Sequence, residues 1–121
     1  MELSAVNSLD PTAAKELLTT CCGAAAWVVA MERLRPFKDE KDLLEKADAC
    51  WMTTGENDWL EAFRHHPKIG DLEGLRKKFA STQHLAGAEQ AAVQSASEST
   101  LQQLADGNEA CEKRFGFIII V

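Results

Sequence analysis

The sequence predicts an all-α protein, a compact bundle of about six helices joined by short connections. Three observations carry that expectation. Apolar residues recur at helical spacing in one segment after another. The three prolines, Pro11, Pro36 and Pro67, and the glycines Gly23 and Gly55 fall at segment ends. Strand-like sequence is confined to residues 117–121.

The first strong helix opens at Asp10-Pro11, a capping carboxylate followed by proline at the first helical position. It runs to about Cys22 and stops at Gly23. A second pattern places Ala24, Trp27, Met31 and Leu34 on one face and ends before Pro36. A third begins near Asp39 with acidic residues in its first turn, a favourable place for negative charge. It sets Leu43, Ala47, Cys50 and Trp51 on one side, and Thr53-Thr54-Gly55 breaks it. Asn57 or Asp58 is the expected cap of a short helix carrying Trp59, Leu60 and Phe63 and ending at Pro67. Asp71 starts another, with Leu72, Leu75 and Phe79. The longest helix is expected over residues 87–114, with a stripe of Val93, Leu101, Leu104, Asn108, Cys111 and Phe115 at close to 3.5-residue spacing. Asn108 interrupts that stripe and is expected to hydrogen-bond in the core. Trp27, Trp51 and Trp59 all stand at core spacing.

At 121 residues the chain suits one domain, 1–121, burying about two thirds of the surface that its unfolded form exposes. With 45% hydrophobic and 26% charged residues it has the balance of a folded globular protein. A formal charge of -6 argues against a nucleic-acid binder, and Arg76-Lys77-Lys78 is a short run rather than a basic patch. No apolar stretch reaches the roughly 18 residues of a membrane span, and no signal peptide opens the chain. Cys21, Cys22, Cys50 and Cys111 show no C-x-x-C spacing, which indicates free thiols in a reducing compartment. The chain stops on Ile118-Ile119-Ile120-Val121. This apolar end reads as a sequence cut short, or as one packing on a further segment or a second chain.

Two stretches hold the side chains with chemistry. In His65-His66-Pro67-Lys68-Ile69-Gly70 a histidine directly precedes a proline where a helical pattern breaks. The proline biases His66 out of the α region, so its ring is expected to project from a turn past a helix end. Imidazole is the side chain that exchanges protons near neutral pH. The same position also suits a surface histidine that merely ends a helix. In Ala86-Gly87-Ala88-Glu89-Gln90 a carboxylate and a carboxamide stand in the first turn of the expected long helix. A glutamate there is equally a common stabiliser of helix starts. His65-His66 and Cys21-Cys22 do not make a metal site, because adjacent side chains cannot easily face one ion and no H-x-x-x-H spacing occurs. There is no P-loop, dinucleotide fingerprint or G-x-S-x-G elbow.

Taken in order, these pieces resemble the 2-oxo-4-hydroxy-4-carboxy-5-ureidoimidazoline (OHCU) decarboxylases of urate degradation, especially the decarboxylase half of plant transthyretin-like allantoin synthases. The resemblance rests on Cys21-Cys22-Gly23 with Trp27 and Met31, on Trp51, and on Asp58-Trp59-Leu60-Glu61-Ala62-Phe63 leading into His66-Pro67-Lys68-Ile69-Gly70. Glu89-Gln90 and Arg114-Phe115-Gly116-Phe117 complete it. It implies an all-α fold, usually a homodimer, and a carboxy-lyase that turns OHCU into (S)-allantoin without cofactor or metal. Carried over by position, His66 and Glu89 are the catalytic residues, and Pro67, Gln90, Phe117 and Ile119 bind substrate; His65 has no such role. The family is often peroxisomal, yet neither end of this chain shows a peroxisomal address, so the expected compartment is peroxisomal or cytoplasmic. Ala86 stands where the family has serine, and Cys111 where a tyrosine is common. The family continues beyond its Phe-Gly-Phe segment with a Cys-Ala-like loop and a terminal helical region. These departures leave an alternative, a catalytically weak or inactive protein-interaction domain of the same fold.

Overall fold

In the computed structural model the described residues are 1–66, 68 and 97–119. Among them every regular element is a helix: α1 (Leu3–Ser8), α2 (Pro11–Cys21), α3 (Ala25–Arg33), α4 (Glu40–Met52), α5 (Glu56–His65) and α6 (Glu98–Phe115). The all-α expectation therefore holds. The chain divides into two compact units, Met1–His65 and His66–Val121. The expected helix with Leu72, Leu75 and Phe79 lies outside the described residues.

In the first unit, α3 is the central element and packs against α2, α4 and α5. Its sequence is apolar over most of its length, as a helix with neighbours on several sides requires. Trp27, Val28 and Met31 are buried with Leu18, Phe37 and Cys50, and Leu43, Ala47 and Trp51 of α4 pack against them. The Trp27 indole N–H donates to the Ala47 carbonyl at 3.0 Å, so the largest core side chain leaves no polar atom unsatisfied. Burial pushes the Cys50 thiol above its ordinary pKa and keeps it protonated.

Local capping chemistry sets several helix starts as expected. The Asp10 carboxylate accepts from Thr12 and Ala13 N–H at 3.0 and 3.1 Å, with Pro11 at the first helical position. The Asp39 carboxylate accepts from Asp42 N–H at 2.8 Å. One turn further, the Lys46 ammonium at 2.8 Å and the Lys38 N–H hold the Asp42 carboxyl below its usual pKa.

Two expectations in this unit are corrected. Leu34 is not part of the buried face: it follows the last turn of α3 and is exposed. Trp59 is 41% exposed, whereas Trp27 is 8% exposed. The outward position of Trp59 is held by its indole N–H, which donates to Thr54 Oγ1 at 2.9 Å.

The sequence pattern does not reveal α1. Six residues are too few to hold a helix alone, and tertiary hydrogen bonds secure this one. The Asn7 amide pairs with both backbone groups of Phe37, at 2.8 and 2.9 Å. The Arg35 guanidinium donates to the carbonyls of Val6 and Leu9 at 3.0 and 2.7 Å, placing positive charge at the negative end of the helix.

In the second unit, α6 begins later than expected. Ser97 is extended (φ -65°, ψ 155°) and its hydroxyl accepts from Thr100 N–H at 3.3 Å, so no helix runs unbroken from 87 to 114. Serine competes well for this capping role, and the apolar spacing masks the break. Asn108 is buried, as its place in the stripe requires, with Leu101, Leu104 and Cys111 half-buried on the same helix. Phe115 is exposed. Val93 lies outside the described residues. Gly116 ends α6 in the left-handed region (φ 81°), which glycine adopts without strain, and its N–H donates to the Glu112 carbonyl at 2.9 Å. Residues 117–119 form no strand; the apolar run there is short and lacks a described partner strand.

Candidate functional site

The end of α5 presents the first chemical stretch, and three contacts define that helix. At its start the Gly55 N–H donates to the Asp58 carboxylate at 3.0 Å. Asp58 thus reaches back from inside the first turn, as the acidic member of a capping box does, and neither it nor Asn57 is the cap itself. In the middle of α5, Glu61 Oε1 accepts the Ala25 N–H at 2.6 Å. Ala24, the residue before α3, is fully buried and has no side chain able to cap. A carboxylate from α5 therefore satisfies the start of α3, where the helix dipole also favours negative charge. Only the Glu in Trp59-Leu60-Glu61-Ala62-Phe63 signals this role, and nothing local names its partner.

At the C-terminal end of α5, His65 packs over Gly23 in the connection between α2 and α3. A Cβ at Gly23 would collide with Cβ and Cγ of His65. The His65 Cβ is fixed to the backbone, so a rotamer change cannot relieve its part of the clash. Gly23 is glycine because α5 passes over it. Gly23→Ala is therefore expected to cost about 1–3 kcal/mol in urea denaturation. Gly55→Ala, with no atom within 4 Å of its added Cβ, should stay within about 0.5 kcal/mol. Equal midpoints for the two variants would contradict the close-packing account. His65, without a catalytic role in the family resemblance, has this packing role instead.

His66 follows immediately, in a bend outside the helix and half-buried. Its placement past a helix end matches the geometry that the following proline implies. Two positions on, Lys68 Nζ forms an ion pair with Glu112 Oε2 of α6 at 2.6 Å. Beyond Gly116, Phe117 and Ile119 are partly exposed apolar side chains at 42% and 41%. The Phe117 ring stacks on Phe115, with centroids 6.2 Å apart and planes inclined by 29°. Within the second unit, the described residues thus include an imidazole outside regular structure and an apolar aromatic segment after α6. Pro67, Glu89 and Gln90, and Ala86 with them, lie outside the described residues. No group of three or more His, Cys, Asp or Glu side chains is placed to hold a metal ion among the described residues. All four cysteines are free thiols, and no described helix is long and apolar enough to cross a membrane.

This chemistry can be set beside known proteins. A family model described as OHCU decarboxylase matches residues 7–121. The chain is also similar to the uric acid degradation bifunctional protein TTL of Arabidopsis thaliana, 30% identical over 101 residues. That alignment covers 84% of this chain and 31% of the relative, so the chain spans about a third of the relative's length. The match reaches from the end of α1 through the His66 turn and α6 to the last residue, and on that span the chain belongs to the OHCU decarboxylase family.

Proposed function

We propose that this domain decarboxylates OHCU stereoselectively to (S)-allantoin, a cofactor-free step of purine degradation. The observation that carries the reading is the family match over residues 7–121, which includes both chemical stretches. The relative named for uric acid degradation supports the same pathway.

In this reaction the bond from the ring carbon to its carboxylate breaks and carbon dioxide leaves. The electron pair spreads into the substrate's own carbonyl and imine-like system, so no external electron sink is needed. Hydrogen-bond donors stabilise that charge. The hydroxyl on the decarboxylated carbon then gives up its proton to become a carbonyl, and a proton is delivered to one face of the neighbouring ureido-bearing carbon. His66 supplies the acid/base group. Glu89 and Gln90 hydrogen-bond the ureido and ring polar atoms and hold the ring so that a single enantiomer forms. Pro67 stiffens the histidine turn, and Phe117 and Ile119 furnish the apolar wall. The working form is a homodimer of single-domain chains, in the peroxisome or cytoplasm.

The test is incubation of the protein with freshly generated OHCU while circular dichroism follows (S)-allantoin. Enzymatic turnover gives a chiral signal faster than the spontaneous reaction. A racemic product at the spontaneous rate overturns the proposal. It would favour the alternative suggested by Ala86, a domain of the same fold that binds a protein partner without turning over substrate.

A further inference from the structure

An ion pair ties the turn carrying His66 to the end of α6. Lys68 Nζ and Glu112 Oε2 lie 2.6 Å apart across 44 positions of sequence. Their side chains are a little under half exposed. Glu112 stands in the last turn of α6, where its carboxylate faces the negative end of the helix dipole and is locally disfavoured. The other cations of that turn are engaged elsewhere: Lys113 pairs with Glu109 at 3.0 Å, and Arg114 lies over the Phe115 ring at 5.4 Å. The ammonium that meets Glu112 comes instead from the histidine motif, two residues beyond His66. One proline separates the two, and its ring removes a rotatable backbone angle from the link.

We infer that Lys68 and Glu112 are a positioning pair for His66. Their ion pair anchors the His66 turn to the helix end from which Phe117 and Ile119 emerge, and so sets where the imidazole meets substrate. Neither residue touches the reacting atoms. The inference rests on the decarboxylase reading above and adds to it two residues that act through the histidine.

The test compares Glu112→Gln, Lys68→Met and the charge swap Lys68→Glu/Glu112→Lys with the unaltered chain. Three readouts are taken at fixed pH: kcat and KM for (S)-allantoin formation, the ring proton–carbon correlation of His66 in NMR, and the melting temperature. The His66 signal is assigned by its loss in His66→Ala. Each single variant is expected to lower kcat about 3- to 10-fold, with KM changed less than about 2-fold, because the acid/base group is misplaced rather than removed. The His66 correlation shifts or broadens, and the swap restores part of both signals. The melting temperature moves by no more than about 2 °C, since a half-exposed ion pair adds little to stability. Single variants with kcat and His66 signal at their original values overturn the inference. So does a kcat loss that the swap leaves unrescued and that tracks a fall in melting temperature. If the unaltered chain shows no decarboxylation, the functional reading fails by itself, and the His66 correlation alone decides the positioning pair.

Discussion

Replacing His66 with alanine is expected to reduce OHCU decarboxylation by about 100- to 10,000-fold, the range for loss of a positioned acid/base group. The physical case begins with location. His66 sits in a bend after α5, half-buried and outside the core cluster, where a ring can meet a small polar molecule. Its removal opens no cavity in that core, so stability should fall by no more than about 1 kcal/mol. His65→Ala is the matched control. That neighbour covers Gly23, and its loss should register in stability more than in turnover. Chiral detection of (S)-allantoin, together with a thermal melt of both variants, separates the two roles. A His66→Ala protein that retains more than about a tenth of the original rate would remove the histidine from the mechanism.

Trp27→Ala is expected to destabilise the first unit by about 3–5 kcal/mol, a large share of the roughly 5–15 kcal/mol that holds a domain of this size. Trp27 is 8% exposed, lies on the central helix and donates to Ala47 across to α4. Truncation therefore leaves a cavity at the meeting point of α3 and α4 and deprives the Ala47 carbonyl of one donor. Trp59→Ala should behave differently, costing about 1 kcal/mol for the lost hydrogen bond to Thr54 and some partial burial. Urea denaturation of the two variants checks both values. Similar midpoints for Trp27→Ala and Trp59→Ala would contradict the core assignment.

The two tryptophans show where sequence reading stops. Both stand at helical spacing among apolar neighbours, and spacing identifies a face without saying which helix lies at the centre. The same limit applies to the long helix expected over 87–114. Its apolar stripe continues across Ser97, while the backbone there is extended and the hydroxyl caps a new helix. For the site, the proline after His66 was enough to place the histidine past a helix end. The pairing of the next residue, Lys68, with Glu112 was not readable, because an ion pair between side chains 44 positions apart leaves no local pattern.

The sequence by itself determined the all-α class, the limits of α2, α3 and α4 to within a residue or two, and the family. These follow from chemistry acting over a few residues: Asp10 before Pro11, Asp39 before an acidic first turn, Thr53-Thr54-Gly55 after the last turn of α4. Only the tertiary structure decided why Gly23 carries no side chain, which carboxylate caps α3 and what holds α1 in place. Each answer is a contact between distant segments: His65 over Gly23, Glu61 on Ala25, Asn7 and Arg35 joining α1 to the connection after α3. A backbone group or a close approach can be satisfied by any suitable atom that the fold brings near, so the choice of partner appears only once the helices are packed.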